Sequence, residues 1–220
     1  MLEKLPDAVG HALRDQRAGL DKIAFNQVDL RQGAGALTVA SLSFTDHGPL
    51  PVDCTADGAG RSPPLQWTGV PPQASEVVVI VEDADAPTPQ PLVHAIVVGL
   101  PPGDGALQLG ALDSPGHDGE ADVATGRNSY LQARWLPPDP PPGHGTHRYV
   151  FQVFALEAGA AIGGTPGRGA VLDAIRERGL AGGYVVGTYA RPDGSVPADA
   201  PAATAAGVDP VRVTPPIRPA

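Results

Sequence analysis

The chain has 220 residues, 42% of them apolar, and a formal net charge of −9. That is enough for one domain of ordinary size with extensions, and the acidic balance excludes nucleic acid as the main partner, because neutralising phosphates needs a basic surface. One cysteine, Cys54, excludes an intrachain disulfide and zinc sites of the Cys₄ or Cys₂His₂ type.

In chain order, the N-terminus carries acidic and polar residues where a secretory signal would be apolar, and no apolar run approaches the ~20 residues of a membrane span. A cytoplasmic protein without a transmembrane segment is expected. Residues 1–30 read as partly helical, from the stripe Leu5, Val9, Leu13, Leu20 and Ile23, with Asp7 as a cap after Pro6. This segment is expected to cover one edge of the domain; a dimer or partner contact is the alternative. Residues 33–35 break the pattern and residues 37–44 alternate as a strand. After turns at residues 46–49 and 57–60, residues 62–67 are extended, because two prolines bar a helix and disfavour a central strand. Residues 77–81 and 93–100 are continuous β-branched runs, the mark of strands buried on both faces. Residues 105–125 read as a long loop, and a proline cluster fills residues 137–142. Residues 147–156 form the clearest strand, residues 170–178 a helix with Gly179 as its C′ residue, and residues 184–189 a last strand. The Pro- and Ala-rich remainder reads as a tail. The expected organisation is an N-terminal helical extension (1–35), a mainly β domain of two sheets (36–190) and a C-terminal tail (191–220).

The chemistry concentrates in two places. In the strand 147–156, His147, Tyr149 and Phe151 share one face and Arg148 takes the other. An imidazole and a phenol side by side offer two donors to an oxyanion. Asp83 and Asp85, two residues apart at the end of the run 77–81, could bind a metal, share a proton or orient histidines. His94 opens the neighbouring strand, and Glu82 points away from Asp83. No G-x-S-x-G, H-E-x-x-H, P-loop or dinucleotide fingerprint is present, and residues 163–169 lack the Lys and Ser/Thr of a phosphate loop. His11, His47, His117 and His144 show no ligand spacing.

Taken together, Ser62-Pro63-Pro64-Leu65-Gln66-Trp67, Glu82-Asp83-Ala84-Asp85-Ala86-Pro87, His94, and Gly143-His144-Gly145-Thr146-His147-Arg148-Tyr149 resemble the phosphatidylethanolamine-binding proteins, in particular their bacterial Raf kinase inhibitor-like branch. The resemblance implies a sandwich of two antiparallel sheets with a small anion pocket at one end. Asp83, Asp85, Pro87, His94, His147 and Tyr149 would line it, with Asp83 and Asp85 orienting histidine donors, and the bond between Ala86 and Pro87 would be cis. Ala84 stands where the family usually has proline, and Trp135 and Pro137 where it has tyrosine and glycine. The resemblance implies a binding protein for a small anion such as phosphate or phosphoethanolamine, without catalytic residues, metal or other cofactor. A regulatory or inhibitory role through contact with a kinase or protease goes with it, and a homodimer is left open. The alternative is a hydrolase of phosphoesters or esters that uses a metal or a His/Asp pair.

Overall fold

The computed structural model describes residues 6–30, 35–114 and 124–191. The β-branched run forms the middle of β5 (Glu76–Asp83), which pairs antiparallel with β6 (Leu92–Leu100) on one side and β9 (His147–Leu156) on the other. β9 pairs antiparallel with β10 (Gly179–Tyr189). Short strands β1 (Gly35–Ala36), β3 (Gly48–Pro49) and β8 (Ala124–Thr125) complete this larger sheet, which runs β1-β10-β9-β5-β6-β8 with β3 also on β10. A smaller sheet, β2-β4-β7, is built from β2 (Thr38–Ala40), β4 (Leu65–Thr68) and β7 (Gly105–Leu107). The protein is mainly β with two sheets. The antiparallel expectation has two exceptions: β1 and β3 both run parallel to β10.

Alternation along the long strands separates two layers of core. Val77, Val79 and Val81 of β5 and Tyr149, Phe151 and Val153 of β9 face the smaller sheet, where Val39, Leu65, Trp67 and Leu107 close the interior. Val78 and Ile80 of β5 and Phe154 and Leu156 of β9 face outward. They are covered by Val171, Leu172 and Ile175 of helix α2 (Arg168–Arg178) and by Ala24 and Val28 of the N-terminal segment. Both faces of the central strands are therefore dry, which is why they read as unbroken apolar runs.

Several expectations shift. The alternating stretch 37–44 contributes only Thr38–Ala40 as strand, and the expected loop 105–125 contains β7 and β8. β4 is the central strand of its sheet; Pro63 and Pro64 lie just before it, so their missing N–H groups interrupt no ladder. Gly179 is not a left-handed C′ residue: its φ is −64° and the chain enters β10 directly. Helix α1 (Asp7–Leu13) starts at Asp7 itself, with Pro6 in the capping position and no side-chain cap. The N-terminal segment lies against central strands rather than an edge. The Ala24 amide donates to Glu82 Oε2 at 2.6 Å and the Phe25 amide to Gln152 Oε1 at 2.7 Å. No cis peptide occurs among the described residues, so the bond between Ala86 and Pro87 is trans, against expectation. Residues 33–34, His117 and the tail beyond Arg191 lie outside the described residues.

Candidate functional site

Three strand ends meet at one end of the sandwich. Asp83 closes β5 and His147 opens β9, and their odd register puts both on the inner side with Val81 and Tyr149. His94 has the opposite parity along β6, where Val93, Ile96 and Val98 face outward. The ladder slips there: Val81 pairs with Ala95 but Glu82 pairs with Val93. His94 is the extra residue of a β-bulge, which turns its side chain inward. Its ring then meets Tyr149 edge-on at 5.1 Å and Trp135 at 5.8 Å.

The histidine protons follow from their partners. His94 Nδ1 lies 2.6 Å from the Leu136 carbonyl, which only accepts, so Nδ1 carries the hydrogen. The Leu136 amide donates back to the His94 carbonyl at 2.8 Å. Burial pushes the His94 imidazole below its ordinary value and outweighs the charge of Asp83, leaving a neutral ring whose Nε2 is buried with no partner. His147 Nδ1 lies 2.7 Å from Asp83 Oδ2. His147 Nε2 faces His144 Nδ1 at 2.7 Å, and His144 Nε2 donates to the Leu13 carbonyl at 2.8 Å. These three contacts take three protons, which makes Asp83, His147 and His144 neutral as a group. Both ring nitrogens of His147 are committed, so the free donor expected there is absent. His144, set aside in the sequence, completes the relay. Its i, i+3 spacing to His147 across Gly145, whose φ of +94° closes the turn, was the available signal.

The cavity beside these groups has a volume of about 240 Å³. Asp83, His94 and His147 form its polar end; Ala86, Pro87, Leu92, Leu136, Pro137, Pro140 and Pro141 form apolar walls, and Tyr130 stands at the side. Asp139 also lines it and is paired with Arg191 Nη1 at 2.7 Å. Pro137 occupies the position of the expected glycine as a wall. Trp135 packs behind His94 with its indole Nε1 buried and unpartnered.

Of the six site residues read from the sequence, Asp83, Pro87, His94 and His147 line this cavity. Tyr149 sits behind it, fully buried, its hydroxyl without a partner. Burial, then the charge of Asp83, raise that phenol well above its ordinary value, so it stays protonated. Asp85 faces a different cleft, with Arg17, His47, Thr146, Arg148 and Thr188. It orients no histidine: it accepts from Arg148 Nε and Nη2 at 2.7 Å each, from the Arg148 amide at 2.9 Å, and pairs with Arg17 at 3.0 Å. Burial alone would raise the Asp85 carboxyl; the bonds from Arg148 and Arg17 outweigh it and hold the group below its usual range. The turn itself is firm without a proline. The Ala84 amide donates to the Arg148 carbonyl at 3.0 Å, a bond that proline could not make, and Asp83 Oδ1 accepts from the Asp85 amide at 2.8 Å.

Compared with known proteins, residues 40–190 match the model of the family described as phosphatidylethanolamine-binding protein. The chain belongs to the phosphatidylethanolamine-binding protein family. A relative from Mycobacterium tuberculosis named as a candidate lipoprotein, LppC, is 35% identical over 158 residues, covering 71% of this chain and 73% of the relative. A UPF0098 protein of Methanothermobacter thermautotrophicus is 32% identical over 149 residues, 68% of this chain and 95% of its own. Among solved phosphatidylethanolamine-binding protein structures, Escherichia coli YbcL superposes with a TM-score of 0.66 at 25% identity, covering 71% of this chain and 99% of that one. The Chlamydia trachomatis homologue CT736 gives 0.63 at 29% identity, covering 71% and 98%. The family match thus takes in the pocket and all of both sheets except β1 and the start of β2. No helix among the described residues is long and apolar enough to cross a membrane.

Proposed function

We propose that this member of the family is a binding protein whose cavity takes a small phosphoryl- or carboxyl-bearing group, with the rest of the ligand along the proline walls. The observation that carries this reading is the unpartnered, buried Nε2 of His94 in a side chain that lines an apolar cavity. A buried polar atom without a partner costs about 1–3 kcal/mol, which a bound ligand recovers. Occupancy by phosphate or phosphoethanolamine is expected to move the ring resonances of His94 in NMR spectra at millimolar ligand; unchanged spectra would overturn the reading.

A regulatory role through protein contact, as in the Raf kinase inhibitor-like branch, is compatible with the surface beside the cavity. Tyr130 is 47% exposed and Leu131 76% exposed, held out by a loop in which Asn128 Oδ1 accepts from the Tyr130 and Gln132 amides. We place the protein in the cytoplasm as part of this proposal, and cell fractionation checks it against the membrane-attached location that the name of the mycobacterial relative raises for that protein. Of the pair that the hydrolase alternative would use, His147 and Asp83 are in contact at 2.7 Å, with both nitrogens of His147 already committed, while Asp85 lines a different cleft. Among the described residues no group of three or more His, Cys, Asp or Glu is placed to hold a metal ion.

A further inference from the structure

The polar end of the cavity is built the wrong way round for a bare oxyanion. His94 presents a lone pair, because its one hydrogen is spent on the Leu136 carbonyl. His147 presents no free N–H, because Asp83 and His144 take both nitrogens. Asp83 is itself an acceptor. The groups facing His94 are Asp83 and His147 from β5 and β9, the Tyr149 phenol from β9 and the Trp135 indole from the preceding loop. With Asp83, His147 and His144 neutral as a group, and His94 neutral, this end carries no net positive charge. A dianion would meet acceptors with no charge to offset its own.

We propose that the pocket selects the protonated form of its anion: a phosphate monoester bound as the monoanion, its P–OH donating to His94 Nε2. The proposal rests on the anion-pocket reading above and assigns His94 as the residue that reads the ligand's proton. The only bond change is a proton transfer: a ligand that arrives as the dianion takes one proton from the buffer, forming its P–O–H and leaving the buffer base, and the proton stays on the phosphoryl oxygen because burial opposes a charged His94. A monoester has a second ionisation near pH ~6, so the competent form thins out roughly tenfold per pH unit above it. A phosphodiester of the lipid headgroup type has the same single charge but no P–OH, and is disfavoured.

The test uses the full chain with methyl phosphate and dimethyl phosphate as probes. Binding is followed by calorimetry at pH 5.5, 7 and 8 in two buffers of different ionisation enthalpy, and by the ³¹P shift of the bound ligand. Expected are uptake of close to one proton per methyl phosphate at pH 8, little uptake at pH 5.5, and a bound ³¹P shift typical of the monoanion at pH 8. Dimethyl phosphate should bind at least tenfold more weakly at pH 5.5 although its charge is the same. In folded His94→Leu protein that preference should vanish; its persistence would overturn the role of His94. Equal binding of the two esters with no proton uptake at pH 8 overturns the proposal while leaving an anion pocket. Binding of neither ester at any of the three pH values removes the anion pocket, and this proposal with it.

Discussion

Asp83 and Asp85 leave β5 two residues apart, and the hydrogen bond from the Asp85 amide to Asp83 Oδ1 turns the chain between them. One carboxylate therefore meets His147 and the other Arg148, neighbours in sequence on opposite faces of β9. The spacing D-x-D made both look like one site; the side each takes depends on the turn, which spacing does not encode. Because its arginines hold the Asp85 carboxyl below the usual range, its contribution to stability is present above about pH 4, where the unfolded group ionises, and is lost as pH falls through the lower folded value. Asp85→Asn should be less stable than the wild type at pH 7 and lose less on acidification to pH 2. Urea unfolding followed by tryptophan fluorescence across that range measures it; parallel pH profiles for the two proteins would remove Asp85 as the cause.

At the scale of elements, β5 carries opposite chemistry on its two faces. Glu82 points outward, as its parity required, and is fully buried. Its carboxylate accepts from the Ala24 amide at 2.6 Å, from Gln152 Nε2 at 2.8 Å and from Arg168 Nε at 2.6 Å, and Arg168 also donates to the Lys22 carbonyl. One side chain thus ties β5, β9, α2 and the N-terminal segment together. Glu82→Ala leaves a largely buried guanidinium and two amide donors without their acceptor, and is expected to cost about 3–5 kcal/mol. The shift of the urea midpoint gives the value, and a loss below 1 kcal/mol would show that water replaces the carboxylate. On β6, strict alternation with Ile96 and Val98 would turn His94 outward; the bulge turns it inward, and nothing in a β-branched run marks where a ladder will slip. In β10 the glycine pair before Tyr184 has a packing cause. A Cβ on Gly183 would lie 2.1 Å from the Leu37 carbonyl, at the connection to the smaller sheet.

At the scale of the molecule, the N-terminal segment is joined to the pocket across more than half the chain. Arg17 donates to the Thr146 carbonyl at 2.9 Å and the His144 carbonyl at 3.1 Å and pairs with Asp85; the amides of Ala18 and Gly19 donate to the carbonyls of Ala86 and Ala84. These bonds clamp both turns that carry the candidate site. Arg17→Ala should lower stability by about 2 kcal/mol and weaken methyl phosphate binding through the displaced 144–147 turn. Denaturation with calorimetry checks both, and unchanged binding would separate the clamp from the pocket. By itself the sequence determined what local pattern can carry: the doubly buried strands from unbroken β-branched runs, the shared face of His147 and Tyr149 from strand parity, the outward Glu82, and the family from motifs in fixed order. Tertiary structure alone decided which polar atoms were already spent. Whether an imidazole offers a hydrogen or a lone pair depends on partners such as the Leu136 and Leu13 carbonyls, which come from distant backbone and leave no residue-type signature. That is why Asp83, His94 and His147 were legible as residues, while their roles as hydrogen-bond donors or acceptors were not.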